Sequence, residues 1–245
     1  MNIISVVPSL TELLFDLDLE NEIIGITRFC IHPRNKVKSF TKVGGTKTLK
    51  LDRIDALAPD IIIANKEENC QSDIEYLQKK HHVLLTDIYT LSEALTSIMD
   101  IGNATNRAEQ AELLVHNISK QFDTITPIKK NEKKVAYLIW DNPVMTAGHH
   151  TFIHDILHKL GFENVHTDIK TRYPQITDPE LQKMQPDFLF LSSEPYPFRE
   201  KHLKDFHSRF PSTRIILVDG EMFSWYGSRL LLAPKYFNQL IKELN

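Results

Sequence analysis

The chain has few glycines, few cysteines and no long apolar run. Its 245 residues include 8 glycines and 2 cysteines. Two cysteines are too few for a disulfide scaffold, and without a C-x-x-C pair nothing indicates a structural zinc site. No apolar stretch approaches the roughly 18 residues that span a bilayer, so no membrane insertion is expected. No H-E-x-x-H, G-x-S-x-G, Walker or G-x-G-x-x-G motif is present, so an enzyme is the weaker hypothesis.

The composition is typical of a globular protein. Hydrophobic residues make up 42% and charged residues 25%, and the net charge is −3. That charge gives no general attraction to nucleic acid or anionic membrane. The first residues run directly into an apolar strand pattern, without the basic region, separate apolar region and cleavage site of a signal peptide. As written, the chain is expected to be cytoplasmic. A chain trimmed of its export signal, periplasmic or surface-anchored, would read the same way.

The sequence repeats itself once. Pro59-Asp60 and Pro186-Asp187 lie 127 residues apart (186 − 59 = 127), and each pair is followed by an apolar run of strand length and then a glutamate. Continuous apolar runs are typical of parallel strands buried on both faces. Two further pairs of segments recur in the same order, 17–21 with 160–164 and 82–87 with 214–219. Three ordered matches predict two copies of one α/β unit.

A helix is predicted between the two copies. Asn106 is positioned to cap it with Glu109 as its capping-box partner, and Pro127 ends it. Apolar residues form one stripe at positions 111, 115, 118, 122 and 125. We therefore predict an N-terminal lobe at 1–103, a bridging helix at 104–126 and a C-terminal lobe at 127–245. The fold class is α/β, with two Rossmann-like lobes, central mostly parallel sheets, one long backbone helix and a ligand cleft between the lobes.

Candidate ligand-binding residues follow from the rule that ligands bind beyond the carboxyl ends of parallel strands. In the first half these are Pro8, Ser9, Arg28, Phe29, His32, Thr46, Asn65 and Glu67. In the second half they are Met145, His149, Tyr173, Glu194, Glu221, Trp225 and Arg229. Aromatic rings in such loops favour a large planar ligand with polar edges. Each residue has a structural alternative: Ser9, Glu67 and Glu194 suit helix caps, and Arg229 suits an anchor for the last helix.

Two possible metal sites are weighed and not adopted. His150, His154 and His158 recur every four residues, but apolar neighbours occupy the opposite helix face, so a solvent-exposed stripe is predicted. Cys30, His32 and Cys70 leave open a soft metal site, a disulfide or neither. No metal and no intrinsic cofactor is therefore assigned.

The ordered motifs resemble those of the helical-backbone metal receptors, the class III substrate-binding proteins of ABC importers. The resemblance covers nearly the whole chain. Its most specific segments are 5–12, 25–33, 43–46, 51–54, 59–60 and 148–164. The branch it is most similar to binds cobalamin, and the family also includes receptors for ferric siderophores and haem.

The resemblance implies a ligand and a partner. Family ligand positions fall on Thr46, Asn65, Met145, Tyr173, Glu221 and Trp225, with His32 where the family has an aromatic residue and Asn65 where cobalamin receptors have tryptophan. The ligand is then cobalamin, haem or a ferric siderophore. Receptors of this family dock on membrane permease subunits through one carboxylate per lobe. The first falls on Asp52, and its repeat position is Pro179, flanked by Asp178 and Glu180, of which we select Glu180.

These observations together predict a monomeric, non-catalytic receptor that delivers a metal chelate to ABC permease subunits. The alternatives are a cytoplasmic enzyme, a metallochaperone or a ligand sensor on the same two-lobed scaffold. The paired Glu67 and Glu194 and the missing signal peptide motivate them.

Overall fold

The computed structural model describes residues 1–129, 133–166 and 171–244. The chain forms two compact units. Unit 1 comprises Met1–Ile88, Ser92–Lys120 and Tyr226–Leu231, and unit 2 comprises Tyr89–Leu91, Gln121–Trp225 and residues 232–244. Because Tyr226–Leu231 follows most of unit 2 in sequence, the chain returns to unit 1 before it enters its last helix.

Unit 1 is built on a parallel sheet of four strands in the order β2-β1-β5-β6. The strands are β1 (Ile3–Ser5), β2 (Ile23–Ile26), β5 (Ile61–Asn65) and β6 (Val83–Thr86), with a separate hairpin of β3 (Gly44–Gly45) and β4 (Thr48–Leu49). The helices are α1 (Pro8–Asp16), α2 (Leu51–Leu57), α3 (Gln71–Gln78), α4 (Leu91–Ala104) and α5 (Ala108–Phe122), with 3₁₀ turns at Val37–Ser39 and Ser228–Leu231. The register places Ile3 opposite both Ile23 and Ile61.

Unit 2 is built on a mixed sheet in the order β11-β10-β7-β8, with β9 also paired to β7. The strands are β7 (Lys134–Trp140), β8 (Met145–Thr146), β9 (Glu163–Asn164), β10 (Phe188–Ser192) and β11 (Arg214–Val218). The helices are α6 (Phe152–Lys159), α7 (Asp178–Lys183), α8 (Glu200–Arg209), α9 (Gly220–Ser224) and α10 (Ala233–Leu244). Strand β8 is antiparallel to β7, and the other pairs are parallel.

The predicted repeat is present in both sheets. Strands β5 and β10, which follow the two Pro-Asp pairs, are buried along their whole length and pair with a strand on each side. The Asp60 carboxylate accepts a hydrogen bond from Asn2 N at 2.6 Å, and the Asp187 carboxylate accepts one from Lys134 N at 2.7 Å. In both units, therefore, this aspartate holds the start of the neighbouring central strand.

Backbone conformation repeats as well. Ala58 and Gln185, which precede the two prolines, have φ of 45° and 52°, in the left-handed region. Asp18 and Gly161, which follow α1 and α6, have φ of 57° and 90°. Such residues end helices by allowing the chain to reverse over the last turn. The α/β class and the two mostly parallel sheets are confirmed.

The helix predicted between the repeats is shorter than expected. α5 covers 15 residues and ends at Phe122, so the prediction that it extends to Pro127 is wrong. Asn106 is not its cap: with φ of 58° it lies in the turn after α4. The buried positions of α5 are Ala111, Leu114 and Ile118, so the apolar stripe is centred one residue away from the predicted Val115.

Within the described ranges, no helix combines the length and the apolar character that crossing a bilayer requires. This finding agrees with the sequence, where no run of that kind occurs.

Candidate functional site

The carboxyl end of β1 leads directly into α1 through Val7. Val7 is the N-cap residue, Pro8 is the first helical residue, and Ser9 lies inside the helix with 6% of its surface exposed. The interpretation of Ser9 as a helix cap is therefore wrong. Proline suits the first turn because the amide hydrogen that it lacks has no partner there.

The loop after β2 carries the most accessible aromatic side chain of the candidate set. Phe29 is 49% exposed, and the Arg28 guanidinium lies 5.0 Å from the centre of its ring. The Arg28 amide donates to Gly44 O at 2.9 Å, which ties the loop to the β3–β4 hairpin that carries Thr46. Arg28, Phe29 and Thr46 are thereby brought together at this edge of unit 1.

Asn65, at the end of β5, has an internal role. It is 1% exposed, and its Nδ2 donates to Thr86 Oγ1 at 3.0 Å. Its Oδ1 accepts the amide hydrogens of Glu67 and Glu68 at 2.8 and 3.2 Å. The side chain thus shapes the turn that carries the glutamates instead of presenting its own polar atoms.

Glu68 is a second acidic group at this edge, next to Glu67 in the candidate loop after β5. Burial raises the pKa of its carboxyl group, and the positive charge of Lys47 opposes that shift. Lys47 Nζ donates to Glu67 O at 2.5 Å, so the β3–β4 hairpin is bound to the glutamate turn. The sequence repeat pairs one glutamate after each Pro-Asp strand, and in the first half that glutamate is Glu67 and not Glu68.

Cys30 belongs to a buried polar cluster and not to a disulfide. Its Sγ lies 3.0 Å from Thr11 Oγ1 and 3.2 Å from Thr27 Oγ1, and burial raises the pKa of its thiol. Cys70 Sγ donates to Lys47 O at 3.2 Å, and both cysteines are free. The Cys30 thiol is therefore not activated as a nucleophile, because a buried neutral thiol is inert.

Arg229 is held by Glu12 within unit 1. Its Nη2 and Nε donate to the two carboxylate oxygens of Glu12 at 2.7 and 2.9 Å, and Arg229 is 8% exposed. Burial raises the pKa of Glu12, while the charge and hydrogen bonds of Arg229 lower it. The Ser-x-x-Glu spacing from Ser9 to Glu12 was the only sequence signal for this glutamate, and it suggests a capping box.

In unit 2, Glu194 follows β10 and lies in a chain of hydrogen bonds. Ser224 Oγ donates to Glu194 Oε1 at 2.9 Å, which joins the loop after β10 to α9. Behind it, the buried Tyr137 hydroxyl donates to Ser192 Oγ at 3.0 Å, and Ser192 Oγ donates to Glu194 O at 2.6 Å. Glu221, in the first turn of α9, is half-buried at the same sheet edge.

Met145 and Tyr173 lie on adjacent segments. Residues 172–176 run antiparallel to 144–148, with Thr146 N donating to Pro174 O at 3.1 Å and Gly148 N to Arg172 O at 2.8 Å. A Cβ atom at Gly148 would lie only 3.0 Å from Thr171 O, so glycine permits this close approach. Arg172 lies over the ring of Tyr89 at 4.6 Å.

The histidines after β8 form a cluster. The His149 ring centre lies 4.7 Å from that of His150 and 4.4 Å from that of His154. The predicted solvent-exposed stripe is confirmed for His150 and His158 and wrong for His154, which is half-buried. The packing of His149 against this face accounts for the difference.

The two tryptophans differ in exposure. Trp225 is 7% exposed, whereas Trp140 is 40% exposed and meets Tyr196 edge to face at a centroid distance of 5.5 Å. Trp140 ends β7 and Tyr196 follows the adjacent β10, so both lie at the carboxyl edge of the sheet. Trp140 is thus the more accessible aromatic ring in unit 2.

The two candidate docking carboxylates begin equivalent helices. Asp52 is exposed in the first turn of α2, and Glu180 is exposed in the first turn of α7. Glu180 Oε2 accepts from Thr177 N and Oγ1 at 2.8 and 2.6 Å, and these bonds lower its pKa. Asp178, the other flanking acid, is bound by both Nη2 and Nε of Arg209 at 2.6 and 2.7 Å.

Candidate site residues therefore fall in both units. Unit 1 contains Pro8, Ser9, Arg28, Phe29, His32, Thr46, Asn65, Glu67 and Arg229, and unit 2 contains Met145, His149, Tyr173, Glu194, Glu221 and Trp225. Across 1–129, 133–166 and 171–244, no group of three or more His, Cys, Asp or Glu side chains is arranged to hold a metal ion.

Comparison with known proteins gives matches along almost the whole chain. Residues 3–214 match the periplasmic binding protein family. The vitamin B12-binding protein of Pectobacterium carotovorum subsp. carotovorum (strain PC1) is 23% identical over 238 residues, which cover 95% of this chain and 85% of that protein. The uncharacterized ABC transporter substrate-binding lipoprotein YvrC of Bacillus subtilis (strain 168) is 27% identical over 98% of this chain and 81% of its own length.

The fold also matches solved structures. The crystal structure of the periplasmic heme-binding protein HutB of Vibrio cholerae superimposes with a TM-score of 0.81, at 21% identity, over 98% of both chains. At this identity the similarity establishes the fold.

Proposed function

Because the chain belongs to the periplasmic binding protein family, we propose that it is the substrate-binding protein of an ABC importer and that it carries a metal chelate. The family match over residues 3–214 is the observation that carries this proposal. The Pectobacterium relative is named for vitamin B12 and the superimposed Vibrio structure for heme. A corrinoid and haem are therefore the first ligands to test, followed by a ferric siderophore.

The side chains at the strand ends support a large planar ligand. Phe29 and Trp140 present exposed rings, and Tyr173 is half-buried beside the histidine loop. Polar groups accompany them: the Arg28 guanidinium beside Phe29, and the carboxylates of Glu194 and Glu221 in unit 2. Apolar faces with a few fixed polar atoms at their edges are what a macrocycle with polar substituents requires.

Asp52 and Glu180 support a permease partner. Both are exposed carboxylates in the first turn of the helix that precedes a repeated Pro-Asp strand. The hydrogen bonds from Thr177 lower the pKa of the Glu180 carboxyl group. Two exposed carboxylates suit cationic side chains on a partner, through charge-assisted hydrogen bonds. The lipoprotein name of the Bacillus relative supports a place at the cell envelope.

Calorimetric titration tests the ligand class. Cyanocobalamin, haemin and ferrichrome are titrated separately into the full chain, and at least one is expected to bind in the micromolar range, about −8 kcal/mol. Phe29→Ala and Tyr173→Ala should each weaken that ligand by roughly tenfold. Leu113→Ala, at an apolar α5 residue that is 62% exposed, is the matched control and should leave the affinity unchanged.

Two outcomes contradict the proposal. If every ligand binds more weakly than about millimolar, roughly −4 kcal/mol, the ligand class is wrong. If a ligand is converted to product and the conversion is lost on Glu67→Gln or Glu194→Gln, the enzyme alternative replaces the receptor.

A further inference from the structure

The amide of Asn164 has a fixed orientation in unit 2. Its Nδ2 donates to Ala147 O at 2.9 Å, and its Oδ1 accepts from His166 N at 3.1 Å. A carbonyl oxygen only accepts and a backbone amide only donates, so exchanging the two ends of the Asn164 amide would break both bonds. The Nδ2 end of the Asn164 amide therefore faces both the Ala147 carbonyl and the His154 ring.

That orientation selects one tautomer of His154. His154 Nδ1 lies 3.3 Å from Asn164 Nδ2, which is a donor, so Nδ1 accepts and the ring proton resides on Nε2. Protonation of Nδ1 would place two donors against each other. The contact is therefore compatible with neutral His154 and incompatible with its imidazolium form.

The surroundings of His154 also disfavour a positive charge. From the preceding loop, the His149 ring packs against it at 4.4 Å, and His150 packs against His149. From its own helix, His158 lies one turn on and also lowers the pKa of His154, whereas Asp155 raises it. The Asp155 Oδ2 is shared, because it accepts from Leu91 N at 2.8 Å and lies 3.9 Å from Lys159 Nζ. Burial is the largest cause that lowers the pKa of His154, followed by the charge of His149.

His149 adds a second buried ring nitrogen to this cluster. Its Nδ1 has no hydrogen-bond partner in the described part of the chain.

We propose that His149, His154 and Asn164 form an acid-sensitive lock that holds the loop 147–151 in place near neutral pH and releases it on acidification. Asn164 bridges this loop to His154, and Thr151 Oγ1, at the end of the loop, accepts from His154 N at 3.1 Å. His149 is also a candidate ligand contact, so opening of the lock should weaken ligand binding at acid pH. This consequence rests on the proposed function.

The pH window follows from the sign of the shift. The pKa of His154 is lower in the folded chain than its ordinary value of 6.5, so the unfolded chain takes up the proton first. Stability contributed by the neutral ring is complete above 6.5 and is lost as the pH falls from 6.5 towards the folded value. The lock therefore opens at a pH below 6.5.

Nuclear magnetic resonance of the ¹⁵N-labelled histidines tests the lock without any ligand. His154 is expected to carry its proton on Nε2 at pH 7.5 and to titrate below 6.5. An Nδ1–H tautomer, or titration at or above 6.5, would overturn the proposal. Asn164→Asp, which replaces the donor by an acceptor, should shift the His154 titration to higher pH.

Hydrogen exchange of the loop gives an independent readout. Between pH 7.5 and 5.0 the wild-type chain and the His158→Gln control should lose thermal stability, and the amide protection factors of 147–151, corrected for the pH dependence of intrinsic exchange, should fall. His154→Gln, whose side-chain oxygen accepts from Asn164 without titrating, should lose this pH dependence. An undiminished pH dependence in His154→Gln would overturn the lock. None of these measurements needs a ligand. A failure of the lock can therefore be distinguished from a failure of the proposed function in the calorimetric titrations.

Discussion

Arg229 and Glu12 form a two-point ion pair although they lie 217 residues apart in the sequence. The pair joins the 3₁₀ turn at Ser228–Leu231 to helix α1, and both residues belong to unit 1. It is therefore a polar link between the returning segment Tyr226–Leu231 and the unit where the chain begins. The two planar groups meet in the geometry that gives the strongest charge-assisted hydrogen bonds.

Loss of one partner of this pair should be costly. Arg229→Met leaves the half-buried Glu12 carboxylate without its countercharge, and we expect a loss of about 1.5–3 kcal/mol in the free energy of unfolding. The double variant Glu12→Met/Arg229→Met should recover most of that loss, since no buried charge remains. Urea denaturation measures both. Arg107→Met, which removes a more exposed pair with Glu22, is the control and should cost about 0–1 kcal/mol. Equal losses for Arg229→Met and Arg107→Met would contradict the buried role.

Gly102 allows α4 and α5 to pack closely. A Cβ atom at this position would overlap the Ala111 side chain and lie 3.0 Å from Arg107 O. Gly102→Ala is expected to cost about 1–3 kcal/mol through overpacking. Adding Ala111→Gly should return part of the loss, even though glycine inside a helix itself costs about 1 kcal/mol. Thermal unfolding of the two single variants and the double variant measures these losses. If the double variant loses more stability than the two single losses added together, the contact is refuted.

The repeated aspartates should contribute similarly in the two units. Asp60→Ala removes the carboxylate that accepts from Asn2 N, and Asp187→Ala removes the one that accepts from Lys134 N. Each loss should lower the free energy of unfolding by about 1 kcal/mol. Asp60→Asn and Asp187→Asn, which keep an acceptor, should cost less. Asp100→Ala, at an exposed α4 position, should have no effect in the same urea titrations. No difference between Asp60→Ala and Asp100→Ala would mean that the contact is not stabilising.

The Glu180 carboxylate should titrate below its ordinary pKa of 4.5, because Thr177 donates two hydrogen bonds to it. A lowered folded pKa means that the stability from this capping box is present above 4.5 and is lost as the pH falls further. Thr177→Val, which keeps only the backbone donor, should shift the carbon-13 titration of Glu180 towards 4.5. Thr96→Val, at a threonine of unit 1, should leave the Glu180 titration unchanged. If Thr177→Val and Thr96→Val shift this titration equally, the capping box is not the cause of the lowered pKa.

Some features of the site were accessible from the sequence because they depend on nearby residues. Phe29 lies in the loop after a recognisable strand and is exposed, and its role as a ligand contact stays a prediction. Glu194 and Glu67 follow the repeated strands as predicted. The helix boundary at Ala108 was missed because Asn106, a good cap by type, adopts a left-handed conformation that closes the preceding helix instead.

Other features could not be read from the sequence. Asn65 and Trp225 were selected as ligand contacts by position, which stays a prediction, and the sequence did not indicate that they are only 1% and 7% exposed. Whether a polar or aromatic side chain at a strand end faces outward depends on the neighbouring strand and helix, and Thr86 decides it for Asn65. His154 was assigned to solvent by helical periodicity alone, which takes no account of the His149 ring that covers it.

The amino-acid sequence by itself determined the duplicated α/β architecture of this protein. Apolar runs, Pro-Asp turns and left-handed helix ends act over a few residues, and they recur in both halves. Only the tertiary structure decided which polar side chains are consumed by internal contacts, as with Arg229, and which stay exposed to solvent, as with Asp52. Those contacts join residues far apart in sequence, and their energies depend on burial that no local pattern encodes.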